Sequence, residues 1–397
     1  MLQGQGTDRD STRRNNAKAM LTLLLAEHSA PRNFLAEKTG ISVMTVGRIA
    51  DDLIEAGFLL ETKNAAQREP GAGRPPKVLR LNADQLLCCG ANLDQKALHL
   101  GIVDPYGKLR DRSDISCPPN VVRNPDRLLP WLAEELKRFT RPWSGKGLLN
   151  KIGLTLPGIV NVNDGILQFS ANLGISDCHV REYLEQCLPE FCVHLENDAK
   201  ALALAEYRFG AAAGTQNLVI LSMGAGVGSA AILNGEIYRS RNNMAGEIGH
   251  IVLNPAGKIC ECGKTGCLQT NLTTKAILSE AHNVYPGIGL AELMQYAEHG
   301  EAYAQALVKQ VVGAMSMAIN LLANTYAPEA IILCGDTIWS CPGFIPLVLK
   351  DYKKLISEYM LDTFEVRPDS FGPDGYVIGG GAVAFSHVTD ELRLQYL

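Results

Sequence analysis

The feature that most narrows the fold is a repeat. Residues 86–110, LLCCGANLDQKALHLGIVDPYGKLR, read as a strand, a short turn at Asn92 to Lys96, a second strand, a turn at Pro105-Tyr106-Gly107 and a third strand. Residues 217–239, NLVILSMGAGVGSAAILNGEIYR, run in the same order, with an Asn-Gly turn before the last strand. Helical stretches follow each copy, for instance Leu128 to Thr140 and Glu301 to Tyr326. A three-strand meander repeated about 130 residues apart predicts two mixed α/β lobes around a cleft, an actin-like or sugar-kinase-like plan.

At 397 residues, 46% of them hydrophobic, the chain can bury more than one core, so two or three domains are expected. No apolar run reads as approaching the roughly 18 residues of a membrane span. The start, MLQGQGTDRDST, has no apolar export region, so a cytoplasmic protein without membrane insertion is expected. Eleven cysteines in such a chain point to reduced thiols and a metal rather than disulfides. Residues 1–82 carry twelve Lys/Arg against nine Asp/Glu, while the rest carries 25 against 33, a split that suits a nucleic-acid-binding head on an acidic body.

In that head, helical spacing from about Asn15 to Glu27 is followed by a break at His28 to Pro31 and a short helix over Arg32 to Thr39. Gly40 ends it, Ser42 caps a third helix, and Val43, Val46, Ile49, Ala50 and Leu53 form that helix's buried stripe. This is the length and order of a helix-turn-helix, whose third helix would point Ser42, Thr45 and Arg48 at DNA. Strands over Phe58 to Thr62 and Val78 to Leu81 then frame QREPGAGRPPK as a wing: Arg74 would enter a narrow minor groove, with Arg68 and Lys77 on phosphates. The alternative is a solvated linker; beside a helix-turn-helix the wing is favoured.

Two polar motifs in the body carry open readings. Gly224, Gly226 and Gly228 sit in a hairpin that continues as a strand, not a helix, which argues against a dinucleotide fingerprint. The glycines either let a phosphate or sugar approach bare backbone or serve only a tight turn. Asn197 and Asp198 stand where a strand gives way to a helix, so they either cap the helix or present a general base to a substrate hydroxyl.

The segment GEIGHIVLNPAGKICECGKTGCLQT brings together His250, Cys260, Cys262 and Cys267, the Cys₃His set of a closed zinc site. With four protein ligands there is no vacancy for a catalytic water, so the expected Zn²⁺ is structural and folds the loop.

"GEIGHI" followed by "CECGKTGCLQT", with "LENDAKALALAE" and the Gly-x-Gly-x-Gly hairpin, resembles the ROK family of repressors and sugar kinases, and the head places the resemblance on the branch of N-acetylglucosamine-, xylose- or glucose-type repressors. The resemblance implies an α/β chain with a winged helix-turn-helix over residues 1–82 and a two-lobed, duplicated RNase H-like body. The first lobe would be 83–200 plus about 383–397 and the second, with the zinc loop, 201–382, as the duplication suggests. It also implies that Asn172, Asn197, Asp198, Glu247 and His250 line a sugar site, Asp198 at the position of the kinase base and His250 shared between metal and sugar. Two departures stand out. The ATP-binding members carry Asp-x-Gly-Gly-Thr where this chain has the glycine-free Asn92 to Lys96, and Gln269 replaces a glutamate that faces the sugar.

The sequence therefore predicts a sugar-responsive repressor with no catalytic residue at work, a homodimer or dimer of dimers on a pseudo-palindromic DNA operator, with a sugar or sugar phosphate as effector. The alternatives are an active ATP-dependent sugar kinase with an added head, and a protein effector in place of the sugar.

Overall fold

The computed structural model describes residues 6–63 and 77–388. They form two compact units, one from Met1–Thr155, His179–Leu195 and Gly380–Leu397, the other from Leu156–Cys178 and Glu196–Gly379.

The first unit opens with α1 (Gly6–Glu27), β1 (Ser29–Ala30), α2 (Arg32–Thr39), α3 (Val43–Glu55), β2 (Leu59–Lys63) and β3 (Lys77–Leu81). α1 starts well before the expected Asn15, because its polar first turns leave no periodic signal in the sequence. Its apolar stripe, Ala17, Met20, Leu21 and Leu24, is buried. Gly40, with a left-handed φ of 70°, closes α2. Ser42 then caps α3, its Oγ accepting the Thr45 N–H at 3.2 Å. α3 buries Val46, Ile49, Ala50 and Leu53, but Val43 is 55% exposed against expectation: it is the first residue of the helix, ahead of the turns that pack. β1, β3 and β2 form a three-stranded antiparallel sheet, in register from Leu59 opposite Leu81 to Lys63 opposite Lys77. Arg32 ties these pieces together, its guanidinium reaching Asp51 (2.7 Å), Glu61 (3.0 Å) and the Gly47 carbonyl (3.3 Å).

The rest of that unit is a sheet built on the first meander. β4 (Leu87–Leu93), β5 (Ala97–Val103) and β6 (Leu109–Ser116) run antiparallel, α4 (Pro125–Thr140) follows, and β7 (Leu148–Leu156) lies parallel to β4. After α5 (Val180–Cys187), β11 (Cys192–Asn197) completes the order β11-β7-β4-β5-β6. The head rests on this sheet's unit: Tyr106 Oη donates to the Leu81 carbonyl at 2.9 Å, and Leu21, Phe58, Leu86 and Phe385 line one apolar cavity.

In the second unit, Pro157-Gly158 leads into a small antiparallel sheet that the sequence reading missed: β8 (Ile159–Asn161), β9 (Ile166–Ser170) and, after a turn at residues 172–174, β10 (Ile175–Cys178). The main sheet repeats the plan of the first. β12 (Leu218–Met223), β13 (Val227–Leu233) and β14 (Glu236–Ile237) make the meander, and β15 (Ala330–Cys334) and β16 (Glu365–Pro368) extend it in parallel. The order β14-β13-β12-β15-β16 is that of the first sheet, third meander strand to last parallel strand. α6 (Asp198–Phe209) packs against β12 and β13. α7 (Gln269–Leu272), α8 (Thr274–Ala281), α9 (Leu290–Glu298), α10 (Ala302–Tyr326), α11 (Asp336–Ser340) and α12 (Phe344–Asp351) follow, and α13 (Gly375–Val388) starts in this unit but has most of its length in the first.

α10 corrects the expectation about apolar runs, since by length and composition it could cross a membrane. Instead it is the spine of the second unit's core. Leu307, Val311, Met315, Ile319 and Leu322 are buried on it among residues of the sheet and the neighbouring helices, which explains why a 25-residue helix carries so few charges.

Candidate ligand site and metal centre

Two of the candidate ligand residues, Asn197 and Asp198, stand where β11 becomes α6. Asn197 caps α6, its Oδ1 accepting the Lys200 N–H at 3.2 Å, while its Nδ2 donates to the Gly158 carbonyl at 3.0 Å. One amide thus starts the helix and pins the Pro157-Gly158 loop. Asp198 follows, half-buried, with the Ala199 N–H on its Oδ1 at 2.7 Å. Burial pushes its carboxyl up to about 6; the Ala199 bond works against this, and the nearby charge of Glu247 adds to it. A carboxyl poised there can accept a hydroxyl proton near neutral pH.

Next to Asn197 lies a polar network that the sequence reading overlooked, with Glu196, Asn243 and Lys200 buried and the Arg239 side chain partly exposed. Glu196 Oε2 accepts from Arg239 Nη2 at 2.7 Å and Nε at 3.0 Å, and its Oε1 accepts from Asn243 Nδ2 at 3.0 Å and from the Asn197 N–H at 2.9 Å. Asn243 Nδ2 also reaches the Val160 carbonyl at 3.1 Å, and buried Lys200 donates its Nζ to the Asn243 carbonyl at 2.8 Å. Burial lowers the Lys200 pKa, and Glu196 and Glu247 oppose that shift. The network holds a stretch in which Ser240, Asn242 and Asn243 all take left-handed φ values of 56–58°, costly for residues other than glycine. A charge inside the strand VHLEN and a lysine on the buried run of α6 were the signals that could have revealed it.

That stretch leads into Gly246, whose φ of 105° places an added Cβ 1.9 Å from the Ser229 carbonyl, so only glycine lets the loop dock on β13. Glu247 follows, exposed, and then a 3₁₀ turn over Ile248–His250. His250 and Cys260, Cys262 and Cys267 bring one ligand atom each to within 4.8 Å of one another. His250 Nδ1 lies 3.8 Å from Cys260 Sγ, and Cys262 Sγ 3.7 Å from Cys267 Sγ. Ligands about 2.3 Å from one tetrahedral ion stand about 3.8 Å apart, so the set fits a metal ion. Paired backbone bridges, Val252 with Cys267 and Ile259 with Thr265, fold the loop around the four.

Gln269, expected on the sugar, has its amide nitrogen turned to the cluster, donating to Cys260 Sγ at 3.3 Å. A carboxylate in its place would offer the sulfur no proton. Asn172 sits half-buried on the turn between β9 and β10, which Ser170 Oγ braces by accepting the Leu173 N–H at 3.2 Å.

The two glycine-or-not turns differ in kind. In the β12–β13 hairpin none of Gly224, Gly226 and Gly228 takes a left-handed φ, so a strained turn is not what demands glycine. Gly226 faces open space, while the Gly224 N–H is already given to the Gly226 carbonyl at 2.9 Å. In the β4–β5 turn, Asn92 is buried with its Nδ2 on Thr155 Oγ1 at 2.8 Å, and Asp94 Oδ1 accepts the N–H groups of Lys96 and Ala97 at 2.6 and 2.7 Å. His99 bridges Asp94 Oδ2 (3.3 Å) and Asp114 (2.6 Å), and its pKa is raised, chiefly by the bond to Asp94. Two of the turn's N–H groups are thus bound to its own carboxylate.

On the head, Ser42 Oγ is engaged in the cap and lies 2.8 Å from Thr45 Oγ1, while Arg48 is exposed. Lys77 opens β3 paired with Glu61 rather than reaching outward. Arg68 and Arg74 lie outside the described residues.

Residues 95–387 match the model of the ROK family. The chain belongs to the ROK family. It is 23% identical to the xylose repressor of Bacillus spizizenii over 390 residues, 98% of this chain and 99% of that protein. Among solved structures it resembles a ROK family transcriptional regulator, a homolog of the E. coli MLC protein, with a TM-score of 0.81 and 22% identity over 97% of this chain and 98% of that one. The ROK hexokinase of Thermus thermophilus matches with a TM-score of 0.66 and 26% identity, covering 77% of this chain and 100% of its own. The body therefore has the α/β fold of ROK sugar kinases, and its likeness to ROK regulators extends over almost the entire chain.

Proposed function

We propose that this ROK protein is a sugar-responsive transcription repressor. The observation that carries the reading is the head: three helices and an antiparallel hairpin precede a kinase-like body, and a xylose repressor matches 98% of this chain, whereas the hexokinase matches only 77% of it. Residues 1–82 act as a winged helix that binds an operator, with α3 in the major groove and a homodimer pairing two heads on a pseudo-palindrome.

The effector is a sugar or sugar phosphate held by Asn172, Asn197, Asp198, Glu247 and His250. Asp198 accepts a sugar hydroxyl, and the Glu196–Arg239–Asn243–Lys200 network keeps the Glu247 segment in place beside it. His250, Cys260, Cys262 and Cys267 hold a structural Zn²⁺, which supplies folding energy to the loop rather than chemistry. Gln269 belongs to that centre, its N–H steadying the Cys260 thiolate. Ligand binding shifts the population toward a state that fits the operator poorly, which requires the sugar to prefer that state.

The test is a release assay. The full-length protein selects a bound fragment from genomic DNA, and the complex is challenged with sugars, amino sugars and their phosphates. Release by one of them, lost in Asp198→Ala and Glu247→Ala while DNA binding remains, supports the reading. Both variants still releasing DNA with the true effector would remove these residues from the site, and no release by any sugar would favour a protein effector.

The Asp198 pKa of about 6 and the open face of Gly226 favour a second reading, residual sugar kinase activity. The closed turn at Asp94 weighs against it.

A further inference from the structure

We propose that Val43 and Met44, on the first turn of α3, form an apolar edge that packs on thymine methyl groups in the operator's major groove. The proposal rests on the DNA-binding reading above and adds what the head reads there. Sequence reasoning gave base contact to Ser42 and Thr45, but their hydroxyls lie 2.8 Å apart and Ser42 Oγ is committed to the helix cap. Between them the helix presents Val43, 55% exposed, and Met44, 70% exposed, on an element whose other face is fully buried by Val46, Ile49, Ala50 and Leu53. Covering these two side chains with a partner's apolar surface would be favourable.

The charge beside them names the class of partner. Met44 and Arg48 are four residues apart and share one helix face, so an apolar group stands next to an exposed guanidinium. The thymine methyl is the apolar group on the major-groove edge of the base pairs, and guanine N7 and O6 or a phosphate suits the arginine. The surface thus matches a run in which thymine lies one or two steps from guanine, and a purely polar edge would not distinguish thymine from cytosine by a methyl contact. Methionine's unbranched side chain lets it adapt to the groove, while the β-branched Val43 holds one rotamer and fixes the position.

The experiment uses the full chain and its selected operator duplex, with 2′-deoxyuridine replacing thymidine one position at a time, which deletes the methyl and leaves the pairing intact. A buried methyl is worth about a fourfold change in binding. Wild type should lose about fourfold at one or two positions in each half-site, and Met44→Ala should bind thymine and uracil duplexes equally at those positions. Val43→Ala should erase the discrimination at the neighbouring position. Both side chains are exposed, so both variants should keep the parent's Tm. If every uracil duplex binds wild type as tightly as the thymine parent while Arg48→Ala weakens binding, the head reads DNA and Val43 and Met44 do not read thymine. If no fragment is selected at all, the DNA-binding reading falls and this inference with it.

Discussion

The two five-stranded sheets share one strand order, yet their first turns have diverged. In the first unit the β4–β5 turn has no glycine and closes on itself, Asp94 taking the N–H groups of Lys96 and Ala97 and leaning on His99. In the second the β12–β13 hairpin keeps three glycines, one of them facing open space. The proposed ligand residues Asn172, Asp198, Glu247 and His250, and the cysteines of the candidate metal cluster, also fall in the second unit's two segments. The lesson is that two turns at matching places in sheets of the same strand order differ through their side chains: one is bonded to its own carboxylate, the other leaves a glycine facing open space. A turn whose N–H groups are already bonded to its own carboxylate has fewer of them to offer a phosphate.

Four variants would break or sharpen that contrast. The largest effect belongs to the metal loop. Cys260→Ser should reduce bound zinc to under about a tenth and, if some 4 kcal/mol of folding energy goes with the ion, lower Tm by about 8–16 °C, read by metal analysis and calorimetry. An unchanged Tm with no zinc in the wild type would mean that the loop does not depend on a metal.

Next comes Asp198. Losing a charged acceptor of a sugar hydroxyl costs about 1.5–3 kcal/mol, so Asp198→Asn should weaken effector binding by about 10- to 150-fold in titration calorimetry, with operator affinity within twofold of wild type. The pH dependence follows from the carboxyl near 6. Because the folded state holds this proton more tightly than the unfolded chain, the group's contribution to stability falls as pH rises from about 4 to about 6. Effector affinity should rise over pH 5 to 7 as the carboxylate forms, and Asp198→Asn should flatten that rise.

The fold was largely legible because its signals are local. Alternation and turn residues marked both meanders, Ser42 and Gly40 bounded α3 and α2, and the cysteine spacing pointed to the four-residue His/Cys cluster that the structure brings together. What stayed hidden depends on pairing across the chain. Nothing in HLENDAKAL says that Lys200 meets the carbonyl of Asn243, 43 residues away, or that Glu196 meets Arg239. The small β8–β10 sheet is too short to show periodicity, and the contact of Gln269 with Cys260 exists only once the loop folds. Val43 matched the buried stripe by spacing, and only its place at the very start of α3 exposes it.

A smaller effect is expected from Gln269→Glu, which replaces an N–H donor to Cys260 with a carboxylate. Zinc should transfer to a chelator about tenfold faster, as second-layer losses at metal sites commonly do. An unchanged rate would return Gln269 to the sugar alone. The smallest is Asp94→Asn in the closed turn, which should leave effector response within twofold and cost about 1 kcal/mol in denaturant unfolding. A large change in sugar response there would erase the contrast between the two turns.

The central claim, a kinase-like body working as a sensor, is tested most directly by offering the releasing sugar together with Mg-ATP and measuring operator release and ADP formation in the same sample. The account predicts release that is independent of ATP, with ADP at the no-sugar background. Stoichiometric, repeated ADP formation that needs the sugar and disappears in Asp198→Asn would contradict it.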